Sequence, residues 1–301
     1  MAIMRVGIVS PGDMGHAVGA RLQEHGVRPL TTLEGRSART RALAQAAGFE
    51  DVGSMEGLVQ SADVILSIVV PASAHAVALR VAEAIKATGA SVLYADCNAV
   101  APSTACAIGR AIVEAGGRFA DAGIIGPPPR RPGTRFYASG PGAAELAQLN
   151  DHGLDVRVLD DVVGRASGLK MCYAAMTKGL LALATELLVA ARAMGLDQPL
   201  RAEQGGSLSG VLDYVTTALP GMPPKAHRWV GEMEEIARSF EDVGLPPGLM
   251  LGAADVYRFV AGTPLGAETP ESRDAARDMD GVVAQLAEAL PSDKVLPSRR
   301  R

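Results

Sequence analysis

Along the first 160 residues the hydrophobic positions gather in short, nearly continuous runs. Arg5-Val-Gly-Ile-Val9, Arg28-Pro-Leu-Thr-Thr-Leu33, Ala62-Asp-Val-Ile-Leu-Ser-Ile-Val-Val-Pro71, Ser91-Val-Leu-Tyr-Ala-Asp96 and Arg118-Phe-Ala-Asp-Ala-Gly-Ile-Ile-Gly126 are the clearest. A run that is apolar throughout suits a parallel strand covered on both faces. Helix-compatible segments separate the runs: 13–25, 72–87, and one that Ser103-Thr104 is placed to begin. Pro71 reads as the end of its strand. Strand and helix alternate at least four times up to about residue 120, which predicts a right-handed parallel sheet with helices on both faces. Arg135–Gly140 and Val156–Leu159 read as two further short strands.

From Gly164 the pattern changes. A long apolar run extends to about Met194, and at about 1.5 Å per residue it makes a helix of roughly 40 Å, long enough to bridge two domains. Leu180, Leu181, Leu183, Leu187, Leu188 and Val189 make it apolar nearly all round, which predicts burial. The rest reads as helices at about 207–219, 224–243, 247–261 and 270–289, punctuated by Pro220, Pro223, Pro224, Pro246 and Pro247. The predicted domains are therefore 1–163 and 164–290. Residues 291–301 have little to bury and are expected to be a disordered tail.

Composition narrows the class. With 48% hydrophobic and 21% charged residues the chain fits a soluble globular enzyme. A net charge of −4 gives no reason to bind nucleic acid or an anionic membrane. The start runs straight into the first strand, leaving no room for a signal peptide, and no apolar run is read as approaching the roughly 20 residues of a membrane span. Cys97, Cys106 and Cys172 lack metal-ligand spacing and suit reduced thiols in a cytoplasmic protein. Aromatic residues are only 4%, so the core must be built of Ala, Val, Leu and Ile.

The candidate chemistry begins at the first strand-to-helix turn, Ser10-Pro-Gly-Asp-Met-Gly15. Such a turn points the free N–H groups and positive end of the helix at whatever sits above it. Gly12 and Gly15 lack a Cβ, so a phosphate can approach and the helix can pack closely on its strand. The first glycine of the usual Gly-x-Gly-x-x-Gly fingerprint is Ser10. At the end of the second strand, Glu34 favours a free ribose 2′-hydroxyl and NAD. Arg36 and Ser37, with Arg39 and Arg41 nearby, favour a 2′-phosphate, and the reading leans to NADP(H) with NAD(H) kept open. The loop Pro127-Pro-Pro-Arg-Arg-Pro-Gly-Thr134 is a rigid connection whose Arg130 and Arg131 are either solvated or turned to an anionic substrate.

These residues resemble a known family. Gly7-Ile-Val-Ser-Pro-Gly-Asp-Met-Gly15 is similar to the Gly-x-x-Gly-x-Gly-x-Met-Gly start of the β-hydroxyacid dehydrogenases, the group that contains 3-hydroxyisobutyrate and 6-phosphogluconate dehydrogenases. Gly35-Arg-Ser37 resembles the Asn-Arg-Thr or Asn-Arg-Ser of NADP-using members. Asp121-Ala-Gly-Ile-Ile-Gly126 resembles their substrate segment, and Gly164–Lys170 the segment that carries the catalytic lysine. His227–Ile236 is similar to a less characterised phosphogluconate-dehydrogenase-like subgroup. Two positions depart: Ala174 replaces the family's Asn, with Tyr173 beside it, and Ile125 replaces its substrate-binding Ser, followed by Pro127 where glycines are usual.

The resemblance implies an α/β fold: an N-terminal Rossmann-type doubly wound sheet plus an all-α C-terminal domain, joined by a long interdomain helix. The expected cofactor set is Ser10, Pro11, Gly12, Asp13, Met14 and Gly15, then Gly35, Arg36 and Ser37, with Val70, Pro71 and Asn98. Lys170 is the expected acid/base, at the start of the bridging helix and so at a cleft between domains. Asp121, Gly123, Ile124, Tyr173, Ala174, Lys178, His227 and Trp229 are the expected substrate contacts. Glu232, Glu234 and Glu235 read as solvated, with Glu232 one turn from Arg228 and placed to pair with it. A small-molecule substrate and a homodimer are the expected partners. The function read is an NADP-dependent oxidoreductase acting on a small, acid-bearing carbonyl/alcohol pair. An imine reductase is the second enzymatic reading, and a non-catalytic NADP-binding sensor or structural protein is the alternative of another class.

Overall fold

The structure, a computed structural model, describes residues 3–269 and 271–291. The chain divides into two compact units, 1–172 and 173–301. In the first, the apolar runs become strands of one eight-stranded sheet, ordered β3-β2-β1-β4-β5-β6-β7-β8. β1 (Arg5–Ile8), β4 (Val64–Ser67) and β5 (Leu93–Asp96) are its parallel centre. Every residue of β4 and β5 is buried, which is what their unbroken hydrophobicity requires. β2 (Arg28–Thr31) and β3 (Glu50–Asp51) extend the sheet beyond β1, and β6 (Arg118–Ile125) lies beyond β5, all parallel.

The parallel order ends at the far edge. β7 (Arg135–Ser139) runs antiparallel to β6, and β8 (Val156–Asp160) lies parallel to β7. Only residues 126–134 join β6 to β7, too few for the dozen or so that a parallel crossover needs, so the chain returns as a hairpin. β3 was not anticipated, because two exposed acidic residues carry no strand pattern.

Two buried clusters sandwich this sheet. Successive strand residues point to opposite faces, so Val64 and Leu66 join one cluster and Ile65 the other. The first takes Val18 and Leu22 from α1 (Asp13–Glu24) and Leu146 from α6 (Ala143–Leu146). The second takes Leu58 from α3 (Met55–Ser61), Ile85 from α4 (Pro71–Thr88) and Ile108 from α5 (Pro102–Glu114). α2 (Ala38–Ala46) follows β2. Pro71 does not close β4; it opens α4. Likewise α5 begins at Pro102, after Ala101, one residue before Ser103. At the first helical position proline loses no hydrogen bond and brings its φ preset.

The long helix is α7 (Arg165–Ala193), and the boundary between the units falls inside it. Contrary to the sequence expectation, α7 has the length and composition of a membrane span, with an 18-residue window of mean hydropathy 1.5. Of that window 44% is buried in the protein, so protein packing accounts for much of its apolar surface. Leu181, Leu188 and Val189 are buried, whereas Met176 and Leu183 are 71% and 55% exposed, so the helix is not buried all round.

In the second unit the helix expected at 207–219 is α9 (Ser209–Ala218), and a further helix, α8 (Asp197–Ser207), precedes it unanticipated, the two meeting at Leu208 just after Gly205-Gly206-Ser207. α10 (Ala226–Glu241) and α11 (Gly248–Ala261) bury Met233, Ile236, Ala254, Tyr257 and Val260. The helix expected at 270–289 is shorter, α12 (Met279–Glu288), because the Asp278 carboxylate caps it by accepting from Gly281 N at 2.8 Å. Pro270, and the expected tail beyond Pro291, lie outside the described residues.

Gly19 on α1 is set by packing: a Cβ there would stand 2.1 Å from the Phe49 ring. Gly19→Ala should destabilise the protein by about 1–3 kcal/mol, read as a lower urea midpoint with unchanged slope, because the rigid ring must shift.

Candidate active site

β1, β4, β5 and β6 are parallel, so their carboxyl ends share one edge of the sheet. β2 and β3 lie to one side of β1 and β4 to β6 to the other, which opens a crevice beyond the end of β1. The turn into α1 lies at that crevice. Gly15 is demanded by the protein itself, since a Cβ would come to 2.3 Å from the Ser10 carbonyl. Gly12 is different. Its φ of −76° and ψ of −159° suit any residue, and beyond its chain neighbours no described protein atom lies within 4 Å of where its Cβ would be. What a side chain at Gly12 would fill is the space outside the turn at the start of α1, and that is the space a pyrophosphate needs. The turn therefore fits a dinucleotide.

Neighbouring side chains have distinct duties. Pro11 is buried and Ser10 half-buried, Met14 packs against the core, and Asp13 is ion-paired with Arg39 at 2.5 Å. At the ribose end Gly35 takes a φ of +67° in the turn after β2, a conformation that favours glycine. Arg36 lies beside it, half-buried, and donates to the Val9 carbonyl at 2.9 Å. Burial and the nearby Arg80 charge both lower the Arg36 pKa. Ser37 caps α2, its Oγ accepting from Thr40 N at 3.2 Å. Arg80 had no sequence signal, because α4 brings it to the ribose loop only in the folded chain.

Val70 is exposed and Pro71 half-buried at the β4–α4 turn, whereas Asn98 is 3% exposed. The Asn98 Oδ1 accepts from Val69 N at 2.6 Å, and its Nδ2 donates to Ser67 Oγ at 3.1 Å and to Asp96 Oδ1. Its amide thus ties the ends of β4 and β5 together. In this way Asn98 shapes the crevice from beneath.

Asp121 is likewise an internal residue, 0% exposed. Its Oδ2 accepts from Gly164 N and Ser167 N, each at 3.0 Å, and from Ser139 Oγ at 3.2 Å; its Oδ1 accepts from Ser167 Oγ at 2.6 Å. Burial raises its pKa above the ordinary value although all four donors favour the ionised form. The carboxylate pins the first turn of α7 to β6. Gly123 lets the two meet, since a Cβ there would be 2.9 Å from both the Ala166 carbonyl and Lys170 Cβ. One turn on, half-buried Lys170 donates from Nζ to the Ile124 carbonyl at 2.7 Å, while the Ile124 side chain is buried. Ser139 and Ser167 were missed, because nothing in the sequence marks residues 18 and 46 positions from Asp121 as its donors.

In the second unit Lys178, Trp229 and Tyr257 come together. Lys178 is ion-paired with Glu232, both 12% exposed, so Glu232 is not the solvated residue expected. The ammonium lies 5.4 Å from the centre of the Trp229 ring, which meets Tyr257 edge-on at 5.3 Å. Tyr257 Oη donates to the Lys178 carbonyl at 2.6 Å, and burial pushes its phenol well above the ordinary value. Ala174 is buried, Tyr173 is 48% exposed and His227 is exposed.

Fold and turn together define a dinucleotide-binding protein with a helical second unit. Residues 5–163 match the NAD binding domain of 6-phosphogluconate dehydrogenase, and residues 191–260 match a domain of unknown function, DUF1932. The chain belongs to this 6-phosphogluconate dehydrogenase-like family of NAD(P)-dependent oxidoreductases. An uncharacterised 28.5 kDa protein from Methanothermus fervidus is 31% identical over 193 residues, 64% of this chain and 73% of that protein. A solved conserved protein of unknown function, itself described as similar to 3-hydroxyacid dehydrogenases, is 29% identical with a TM-score of 0.63, over 88% of this chain and 100% of the other. The Mycobacterium tuberculosis 3-hydroxyisobutyrate dehydrogenase, solved with L-serine, shares the fold with a TM-score of 0.67 at 18% identity, over 94% and 99% of the two chains.

Replacing Lys178 by Met should cost about 3 kcal/mol of stability, because it leaves the buried Glu232 charge without this partner. The double variant Lys178→Met/Glu232→Gln should recover part of that loss in the same denaturation experiment.

Proposed function

We propose that the protein transfers hydride between NADP(H) and a small carbonyl/alcohol pair bearing an acid, with Lys170 as the proton donor and acceptor. The observation that carries this reading is the Lys170 ammonium on the Ile124 carbonyl, at the end of the strand three places from β1 in the same sheet. A bound nicotinamide supplies or takes the hydride. Lys170 gives a proton to the carbonyl oxygen in reduction and accepts it in oxidation. Asp121 and Gly123 fix the height of Lys170 on β6, and Asn98 fixes the rim of the crevice. NADP is favoured over NAD because Arg36, crowded by Arg80, presents positive charge where a 2′-phosphate sits, and a guanidinium pairs with phosphate in two prongs. The exposed Met176, Leu183 and Leu249 support a homodimer, whose second copy would cover them.

Imine reduction is the competing chemistry. Ala174, where the resembling family has an amide, removes a group suited to an alcohol.

Titration of the purified protein with NADPH and NADH, then a carbonyl, hydroxyacid and imine panel with the tighter one, tests the reading. Lys170→Met should bind NADPH as the parent does and lose about 10²- to 10⁴-fold in carbonyl reduction. Undiminished turnover would remove Lys170 from the mechanism, and imine reduction surviving in that variant would favour the competing chemistry. Arg36→Gln should weaken NADPH about 10- to 100-fold and leave NADH unchanged. Equal losses for both would return the ribose site to Glu34.

A further inference from the structure

We propose that the first unit holds a second, separate anion site: a cleft of about 440 Å³ lined by Arg21, Arg130, Arg131, Phe136, Leu154 and Asp155. It takes a small molecule carrying a phosphate or a pair of carboxylates, and it does so with the dinucleotide already bound. The volume lies in the range of about 300–1,000 Å³ usual for small-molecule sites. None of the turn residues 9–15 or the ribose-loop residues 34–37 lines it.

The charges around the cleft do not cancel. Both Asp155 oxygens are taken by Arg157, at 3.0 and 2.9 Å, and Glu24 is ion-paired with Arg21 at 3.2 Å. Among the described residues no carboxylate pairs with Arg130 or Arg131. Arg130 donates to His16 Nε2, and His16 Nδ1 lies 2.6 Å from the Gly12 carbonyl. A carbonyl only accepts, so Nδ1 carries the ring proton and Nε2 receives the Arg130 N–H. Arg131 is left facing solvent and the cleft.

The loop is built to hold these charges in place. Pro127, Pro128, Pro129 and Pro132 restrict its backbone. Thr134 Oγ1 closes it by donating to the Pro127 carbonyl at 2.5 Å, and Arg131 N donates to the Pro128 carbonyl at 3.3 Å. Gly126, at a φ of +120°, allows the close approach: a Cβ there would be 2.3 Å from the Gly133 carbonyl. Two arginines of one stiff loop line the cleft with no carboxylate partner among the described residues, and an anion from outside the chain would supply the missing counter-charge. Guanidiniums bind carboxylate and phosphate oxygens in two prongs, which sets the ligand class.

The test is calorimetric titration of the full chain with inorganic phosphate and with malonate, alone and at saturating NADPH. The expected result is binding of one anion per chain that persists with NADPH, weakens at least tenfold in Arg131→Gln, and is unchanged in Arg110→Gln, an exposed arginine of α5. Binding that NADPH abolishes would assign the anion to the cofactor's own pyrophosphate position and overturn the proposal. So would the absence of binding, or equal affinity in the Arg131 variant. Should NADPH itself fail to bind, the Arg131 dependence measured without it decides the question, so the two proposals fail separately.

Discussion

The structure of the site depends on one buried carboxylate. Asp121 sits inside the sheet, and the four donors it accepts come from β7 and from the start of α7. A helix of 29 residues begins with N–H groups that have no partner of their own, and its positive end favours a negative charge. Burial makes that charge expensive, and the helix start makes it tolerable. The outcome is a fixed distance between β6 and α7, to which Ser139 adds a second bridge by donating to Asp121 and accepting from Ala166 N at 3.0 Å. Lys170 inherits its position from this contact. A lysine has four rotatable bonds, so a defined Nζ position at the end of β6 requires both the pinned helix and the Ile124 carbonyl.

The central strands and the dinucleotide turn were legible in the sequence because both answer to local rules. An unbroken apolar run can only be buried on two faces, and a glycine turn between strand and helix can only lie at a strand end. The edge of the sheet was less legible, since the direction of β7 depends on the length of the loop before it. The proline positions misled because the same ring that ends a strand also starts a helix, as at Pro71 and Pro102. The roles of Asp121 and Asn98 were hidden for a further reason. An Asp inside a strand or an Asn just beyond one reads as a ligand contact from sequence, and only the fold reveals the protein groups that each also holds. Lys178 and Glu232 were recognised as charged groups, but 54 residues separate them in the chain.

Two levels of glycine use separate structure from function in the first unit. Gly15, Gly19 and Gly123 are excluded from having a side chain by protein atoms at 2.3, 2.1 and 2.9 Å. Gly12 is not excluded by anything in the protein, nor by its backbone angles. Open space over a glycine at a helix start leaves room for a partner from outside, and the helix start favours a negative one. On the loop after β6, where proline and Gly126 restrict the backbone, the proposed anion site reverses the sign: Arg130 and Arg131 have no carboxylate partner among the described residues.

These features bear on how the protein distinguishes substrates. In the resembling family a Ser at the end of the β6 segment and an Asn on the long helix supply neutral hydrogen-bonding groups, and here those positions are Ile125 and Ala174, both buried. Neutral groups that read a hydroxyl by direction have been replaced by apolar ones. The polar character that remains near β6 is ionic: Lys170 on the strand's own carbonyl and Arg130 and Arg131 on the loop that follows. Charge acts over longer distances and with less directional demand than a hydroxyl-to-amide bond, and that is the physical ground on which the proposed preference for an acid-bearing substrate at Lys170 rests.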